Sequence, residues 1–306
     1  MEEPMLTGSG SLPQRYRGVP VPAWFHEGTS RKLESMELRS TDVVLASWPK
    51  SGTHWVYKAL RLLSADGGVS GGDMRLVEML PPEALSAGQM PKKSPWNPTG
   101  EDHFDALLER ESSAEPRILV SHAPASWLPL KPGRDGGKVV YVARDPRDVI
   151  VSNYFFMGTP KDGWNGSMNR FLAPAERTPN AFGGWFEHVA DYEALVAALG
   201  PKRALLIEYE EMHANLMGQL RRLAAFLGPL AEDRLATDTA GICAALGFDS
   251  MREASGDAKI FLRKGQPGGW REHFSGDDAA RVAAAVRERL PASSSTVGLS
   301  SWRKDM

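Results

Sequence analysis

Four short stretches of this chain are apolar at nearly every position: Asp42-Val-Val-Leu-Ala-Ser47, Arg117-Ile-Leu-Val-Ser121, Lys138-Val-Val-Tyr-Val-Ala143 and Arg203-Ala-Leu-Leu-Ile-Glu208. Successive side chains of a strand point to opposite faces, so a strand with one wet face alternates apolar and polar residues. Runs that do not alternate fit strands covered on both faces, as in parallel sheets. Between and after them the period changes to that of a helix. Thr53–Ser64 carries Val56, Ala59, Leu60 and Leu63 on one face, and Arg147–Met157 and Phe182–Leu199 read as further helices. Met212, Leu216, Leu220, Leu223 and Leu227 line one more, and Gly276–Leu290 repeats the pattern with Ala279, Val282, Ala283, Val286 and Leu290. Strand–helix alternation predicts a single α/β domain, a central parallel sheet flanked by helices. Ligands of such folds bind beyond the carboxyl ends of the strands, which directs attention to the loops after Ser47, Ser121, Ala143 and Glu208.

Composition narrows the class further. The 306 residues carry 36 Lys+Arg and 38 Asp+Glu, a formal charge of −2, which argues against a nucleic-acid coat or an acidic disordered chain. No stretch approaches the roughly 20 apolar residues of a membrane helix, and the acidic Met1-Glu-Glu-Pro start has no signal-peptide core, so the expected setting is cytoplasmic. One cysteine, Cys243, excludes an intrachain disulfide framework and a cysteine-cluster zinc site. Residues 1–15 read as a flexible lead and 291–306 as a polar tail around a domain spanning 16–290. The Gly- and Pro-rich region 67–100 reads as an insertion, either one wall of a pocket or an inert excursion.

The loops carry the chemistry. Trp48-Pro-Lys-Ser-Gly-Thr-His-Trp55 turns from strand to helix, and Gly52 permits a sharp turn. The amides of Ser51 to His54, the helix dipole, the Lys50 charge and the hydroxyls of Ser51 and Thr53 together suit an anion, although the Walker order is absent. The alternative is a plain connection with a solvated lysine. Arg144 lies at the next strand tip, with Ser152 two helical turns on, which suits a second phosphate unless Arg144 pairs with Asp145 or Asp148. Arg263 and Lys264 precede three glycines within five positions. His122, in Ser121-His-Ala-Pro124, faces the same edge and suits a general base at neutral pH, or is simply structural. No histidine shows metal-ligand spacing.

Taken together, Trp48–Trp55, Ser121–Pro124, Val140–Ser152, Tyr209-Glu-Glu-Met212 and Phe261-Leu-Arg-Lys-Gly265 resemble the cytosolic sulfotransferases that use 3′-phosphoadenosine 5′-phosphosulfate (PAPS). The motifs keep the family's order from Tyr16-Arg-Gly-Val-Pro20 to about residue 290. The resemblance implies a P-loop-like phosphosulfate-binding loop, with Lys50 at the transferring group and Ser51, Gly52, Thr53 and His54 around the 5′-phosphate. It implies Trp55 and Phe248 on adenine, Tyr209 near the nucleoside, Met251 among the cofactor-binding residues, and Arg144, Ser152, Arg263, Lys264 and Gly265 on the 3′-phosphate. His122 is implied as the base, and PAP as the product nucleotide, with no metal required. The acceptor is a small molecule bearing a hydroxyl or amine, for which Trp24, Phe25, Trp96, Phe155 and Phe156 are candidate pocket residues. His54 stands where many members have threonine, Leu246-Gly247 replaces a hydroxyl-bearing pair, and Val120 replaces a frequent lysine. The usual dimer motif is not recognisable, which leaves a monomer or a non-standard dimer. Two other readings remain at this point: a nucleotide kinase using ATP and magnesium, and a catalytically silent nucleotide-binding protein.

Overall fold

The computed structural model describes residues 14–22, 25, 27–64, 116–157, 163–174, 177–254 and 264–290. The two chain ends, the insertion at 67–100, and Trp24, Trp96 and Arg263 lie outside the described residues. Four parallel strands form the central sheet. They are β3 (Val43–Ser47), β4 (Ile118–Ser121), β5 (Lys138–Ala143) and β6 (Ala204–Glu208), in the order β4-β3-β5-β6. A short hairpin, β1 (Gln14–Tyr16) and β2 (Val19–Val21), precedes them, turning through Arg17 and Gly18 at positive φ as a tight hairpin requires.

The unbroken apolar runs have their explanation in the two cores. Val43, Leu45, Val140 and Val142 point to one face and Val44, Ala46, Val139 and Tyr141 to the other. The first face is covered by helix α2 (Thr53–Leu63) and, further along, by α7 (Leu216–Leu227) through Leu220 and Leu223. The second is covered by α5 (Trp185–Leu199) through Tyr192, Leu195 and Val196. Each fully buried Val or Leu contributes roughly 1.5–3 kcal/mol of transfer free energy, so a charge at Val140 would break both sheet and core.

Helix α1 (Glu27–Ser35) follows the hairpin. After β5 come α3 (Pro146–Phe156) and α4 (Gly163–Leu172), and after β6 come α6 (Tyr209–Ala214), α7, α8 (Pro229–Thr237), α9 (Thr239–Ala245), α10 (Phe248–Ala254) and α11 (Gly276–Arg289). Two boundaries differ from the sequence reading. The apolar stripe from Met212 to Leu227 spans two helices, broken at Asn215, whose side chain accepts the Gly218 amide at 2.9 Å and starts α7 afresh. Helix α5 begins at Trp185 and not at Phe182, because Phe182 and Gly183 both take left-handed backbone angles that a right-handed helix does not admit.

β3 is first in sequence and sits inside the sheet, with β4 on one side and β5 on the other. The chain reverses its winding there, and the crevice beyond β3 and β5 is the expected ligand position of such a sheet.

Candidate active site

The turn from β3 into α2 is strained in a particular way. Lys50 has φ 70°, unusual for a residue with a side chain, and Gly52 has φ 105°. A Cβ at Gly52 would lie 2.6 Å from the ring of Tyr209, so only glycine allows the close approach. Helix α2 has no side-chain cap and no acidic residue in its first turn. The Ser51 amide is consumed in closing the turn on Trp48 O (3.3 Å), which removes one of the donors expected to face an anion. The following amides start the helix, where backbone N–H groups lack intrahelical acceptors.

Two cations reach this turn. Lys50 Nζ lies 4.1 Å from the centre of the Phe156 ring, so Phe156, expected to line an acceptor pocket, touches the lysine itself. Desolvation first and then Arg144 bring the Lys50 ammonium down to about 7. Arg144 donates from Nη1 to Lys50 O at 3.1 Å, and its guanidinium rests 4.1 Å over the ring of Tyr209. Arg144 Nε is buried and has no hydrogen-bond partner among the described residues. A buried guanidinium N–H without an acceptor is costly unless a ligand supplies one. The two alternative partners are engaged elsewhere. Asp145 forms a buried ion pair with Arg147 at 2.7 Å, and Asp148 accepts the amides of Gly268 (2.6 Å) and Trp270 (2.9 Å).

Asp148 thereby docks the 264–273 segment on α3, and Arg147 stacks 4.1 Å over Trp270. Gly265, at φ 66°, packs directly on the Phe248 ring with no room for a Cβ. Lys264 pairs with Glu272 on the exposed side. Trp55 donates from Nε1 to Leu246 O at 3.0 Å and meets Tyr209 edge-on at 5.5 Å, and Met251 is buried in the same core. Ser152 is half-buried on α3. The first loop, the Arg144 tip and the 264–270 segment are thus tied together through Tyr209 and Asp148.

His122 follows β4 on the other side of β3. Its Nδ1 lies 2.6 Å from Ser47 O; a carbonyl only accepts, so Nδ1 carries the proton and Nε2 is left as the basic nitrogen. Desolvation dominates in lowering its pKa to about 4, the Ser47 bond opposes this, and Lys50 adds to it. His54 is lowered to about 3 by desolvation, then by Lys50 and His122. Ser47 Oγ and Thr53 Oγ1 are 2.6 Å apart beneath the turn. The Phe182 ring lies 6.0 Å from His122, in an apolar cluster with Tyr16, Phe25, Ala123 and Trp127. Phe25 shares that cluster with Ala123 and Phe182, while Phe155 packs against Tyr154 (5.3 Å) and His273 (5.2 Å).

A family model for the sulfotransferase domain matches residues 40–294. The chain belongs to the sulfotransferase family. It is 30% identical over 294 residues to mouse sulfotransferase 2B1, covering 90% of this chain and 80% of that one. Human sulfotransferase 2A1 is 29% identical over 294 residues, with 90% and 94% covered. In fold, this sulfotransferase is similar to mouse SULT7A1 solved with PAP, at TM-score 0.66 and 23% identity over 92% and 96% of the two chains. Retinol dehydratase solved with androsterone and PAP gives 0.62 and 23% over 86% and 84%. Neither the kinase nor the silent nucleotide-binding reading finds support in these relatives.

Glu210, Asp148 and Phe182 have places at the site that their sequence context did not assign. Glu210 Oε1 accepts the Asp145 amide at 3.0 Å beside Arg144, and its carboxyl is raised to about 7, chiefly by desolvation. Its position next to Tyr209, at a strand tip already singled out, was the available signal.

Proposed function

We propose that Lys50 and His122 carry the chemistry of this PAPS-dependent sulfotransferase. PAPS, when bound, supplies an activated sulfuryl group on a phosphate that leaves as PAP. In this reading His122 Nε2 takes the proton of the acceptor hydroxyl or amine as the new S–O or S–N bond forms. Lys50 donates to the phosphate oxygen freed when the old S–O bond breaks. Transfer of this kind depends on positioning and on charge stabilisation, by analogy with phosphoryl transfer. Ser51, Gly52, Thr53 and His54 are assigned to the 5′-phosphate and Trp55 and Phe248 to adenine. Tyr209 is assigned to the nucleoside, Met251 to the cofactor-binding residues, and Arg144, Ser152, Arg263, Lys264 and Gly265 to the 3′-phosphate.

The observation that carries this reading is the juxtaposition across β3 and its neighbours. An uncapped helix start and two cations, one with a buried N–H that has no partner among the described residues, lie beside a histidine held in the tautomer a base needs. The acceptor is read as a small molecule with an apolar body, from the aromatic cluster around Phe182. The lone Cys243, and the lack of any described helix long and apolar enough to cross a membrane, support a cytoplasmic setting. The domain is read as 16–290, in a monomer or non-standard dimer.

An acceptor screen with PAPS and labelled sulfuryl group tests the activity. Lys50→Ala is expected to lower kcat by about 10²–10³-fold and His122→Ala by about 10²–10⁴-fold, with the fold intact. Near-wild-type turnover of His122→Ala removes His122 as the base, and tighter binding of ATP–Mg than of PAP in calorimetry overturns the donor assignment.

A further inference from the structure

The main chain around His122 is gripped by side chains from α5. His188 Nε2 donates to His122 O at 3.2 Å, and the hydroxyl of Tyr192 donates to Ala123 O at 2.8 Å. Because Nε2 of His188 must carry the proton, its Nδ1 is an acceptor, and the Tyr141 hydroxyl lies 3.0 Å from it to donate. Tyr141 itself is stacked on Tyr192, with ring centres 4.3 Å apart and planes 5° apart. All three side chains are buried to within 2%. The chain of donors therefore runs in one direction, from the Tyr141 hydroxyl through His188 to the carbonyl of His122.

We propose that His188 and Tyr141 are positioning residues for the base: Tyr141 fixes the His188 tautomer, and His188 fixes the His122 backbone so that its ring Nδ1–H meets Ser47 O and Nε2 faces the acceptor. The inference rests on the reading of His122 as the base. Neither residue touches substrate; their effect passes through the backbone. The neutral state of His188, which desolvation holds at about 3, is the state this direction of hydrogen bonds requires. Without the His188 donor, the His122 carbonyl is left buried and unsatisfied, and the loop moves to find water. A displacement of about 1 Å is enough to cost on the order of 10²-fold in rate.

The groups facing His122 set the readout. They are Ser47 O from β3, Lys50 from the following turn, His54 from α2 and His188 from α5. The Ser47 bond is the one among them that favours the protonated ring. Loss of that bond lowers the His122 pKa and releases the ring into a mixture of tautomers.

Nitrogen-15 NMR of histidine-labelled protein in the PAP complex tests this, with His122 identified by the signal lost in His122→Gln. The wild-type ring is expected to be Nδ1-protonated. His188→Phe and Tyr141→Phe are expected to give mixed tautomers and a lower His122 pKa, with PAP affinity unchanged. On an acceptor turned over by the wild type, kcat should fall about 10²-fold for His188→Phe and less for Tyr141→Phe, with KM little changed. His188→Gln, whose amide donates to the same carbonyl, should restore most of both signals. Tyr141→Phe keeps the ring stack and carries the test where His188→Phe does not fold. An unchanged His122 tautomer and kcat in folded Tyr141→Phe, or no recovery in His188→Gln when Tyr141→Phe is impaired, overturns the inference. If His122→Ala stays active, the base reading fails, while the tautomer measurement still decides whether His188 positions the ring.

Discussion

The turns after β3 and β5 leave neighbouring parallel strands at one edge and start helices side by side, yet they are built in opposite ways. Helix α2 starts at Gly52 with no side-chain cap and no first-turn acid. Helix α3 starts at Asp145, whose carboxylate accepts the Arg147 amide at 2.9 Å, with Pro146 and Asp148 in the first turn. The second start satisfies its own donors and uses Asp148 to hold the 264–270 segment. The first leaves its donors and positive dipole end for something else. In the proposed reading the first helix start is the seat for an anion, while its neighbour is a bracket that holds the distal segment through Asp148.

The sharpest way to break the comparison is to damage the bracket. Asp145→Ala removes a cap and strands Arg147, which is 6% exposed, without its partner. The expected loss is about 3–5 kcal/mol of stability by denaturant unfolding, with PAP affinity of the remaining folded protein close to wild type. A larger loss of affinity than of stability would make α3 a binding element and erase the distinction. Gly52→Ala should do the reverse. The left-handed backbone and the Tyr209 ring oppose a methyl group there, at a cost on the order of 1–3 kcal/mol. That strain is expected to appear mainly as about tenfold or greater weakening of PAP binding in calorimetry, because Tyr209 also carries Arg144.

The mildest perturbation is that of pH, which acts on the seat alone. Lys50, held at about 7, loses its charge as pH rises through that value, and Glu210, raised to about 7, gains one. Both changes make the site less positive, so PAP affinity should fall from pH 7 to 9, above the nucleotide's own phosphate titration near 6. The slope is up to about tenfold per pH unit for each proton taken up on binding, and Glu210→Gln should reduce it. Affinity that rises with pH across this window would remove Lys50 and Glu210 as the titrating groups.

Much of the candidate site was legible because it is local. The β3–α2 turn, Arg144 and His122 each sit within a few residues of a strand end, and strand ends follow from unbroken apolar runs. The double helix hidden in the Met212–Leu227 stripe was not legible, because apolar spacing continues across the Asn215 break. Phe156, expected at the acceptor, stands against Lys50, a contact between distant residues that spacing in the sequence does not show. Glu210 lay inside a quoted motif with no role attached, and His188 carried no motif at all. Their roles are set by which backbone groups come to lie opposite them.

By itself, then, the sequence determined the parallel sheet, the strand-tip edge of the candidate site, and the residue types gathered there, because alternation and turn chemistry act over short stretches. Only the tertiary structure decided which donors remain open and which are consumed. It also decided which nitrogen of His122 bears the proton, through Ser47 at 75 residues' separation, and brought His188 to the His122 carbonyl from 66 residues away. Saturation of a buried hydrogen-bonding group is a property of the atoms that enclose it, and those atoms come from distant parts of the chain.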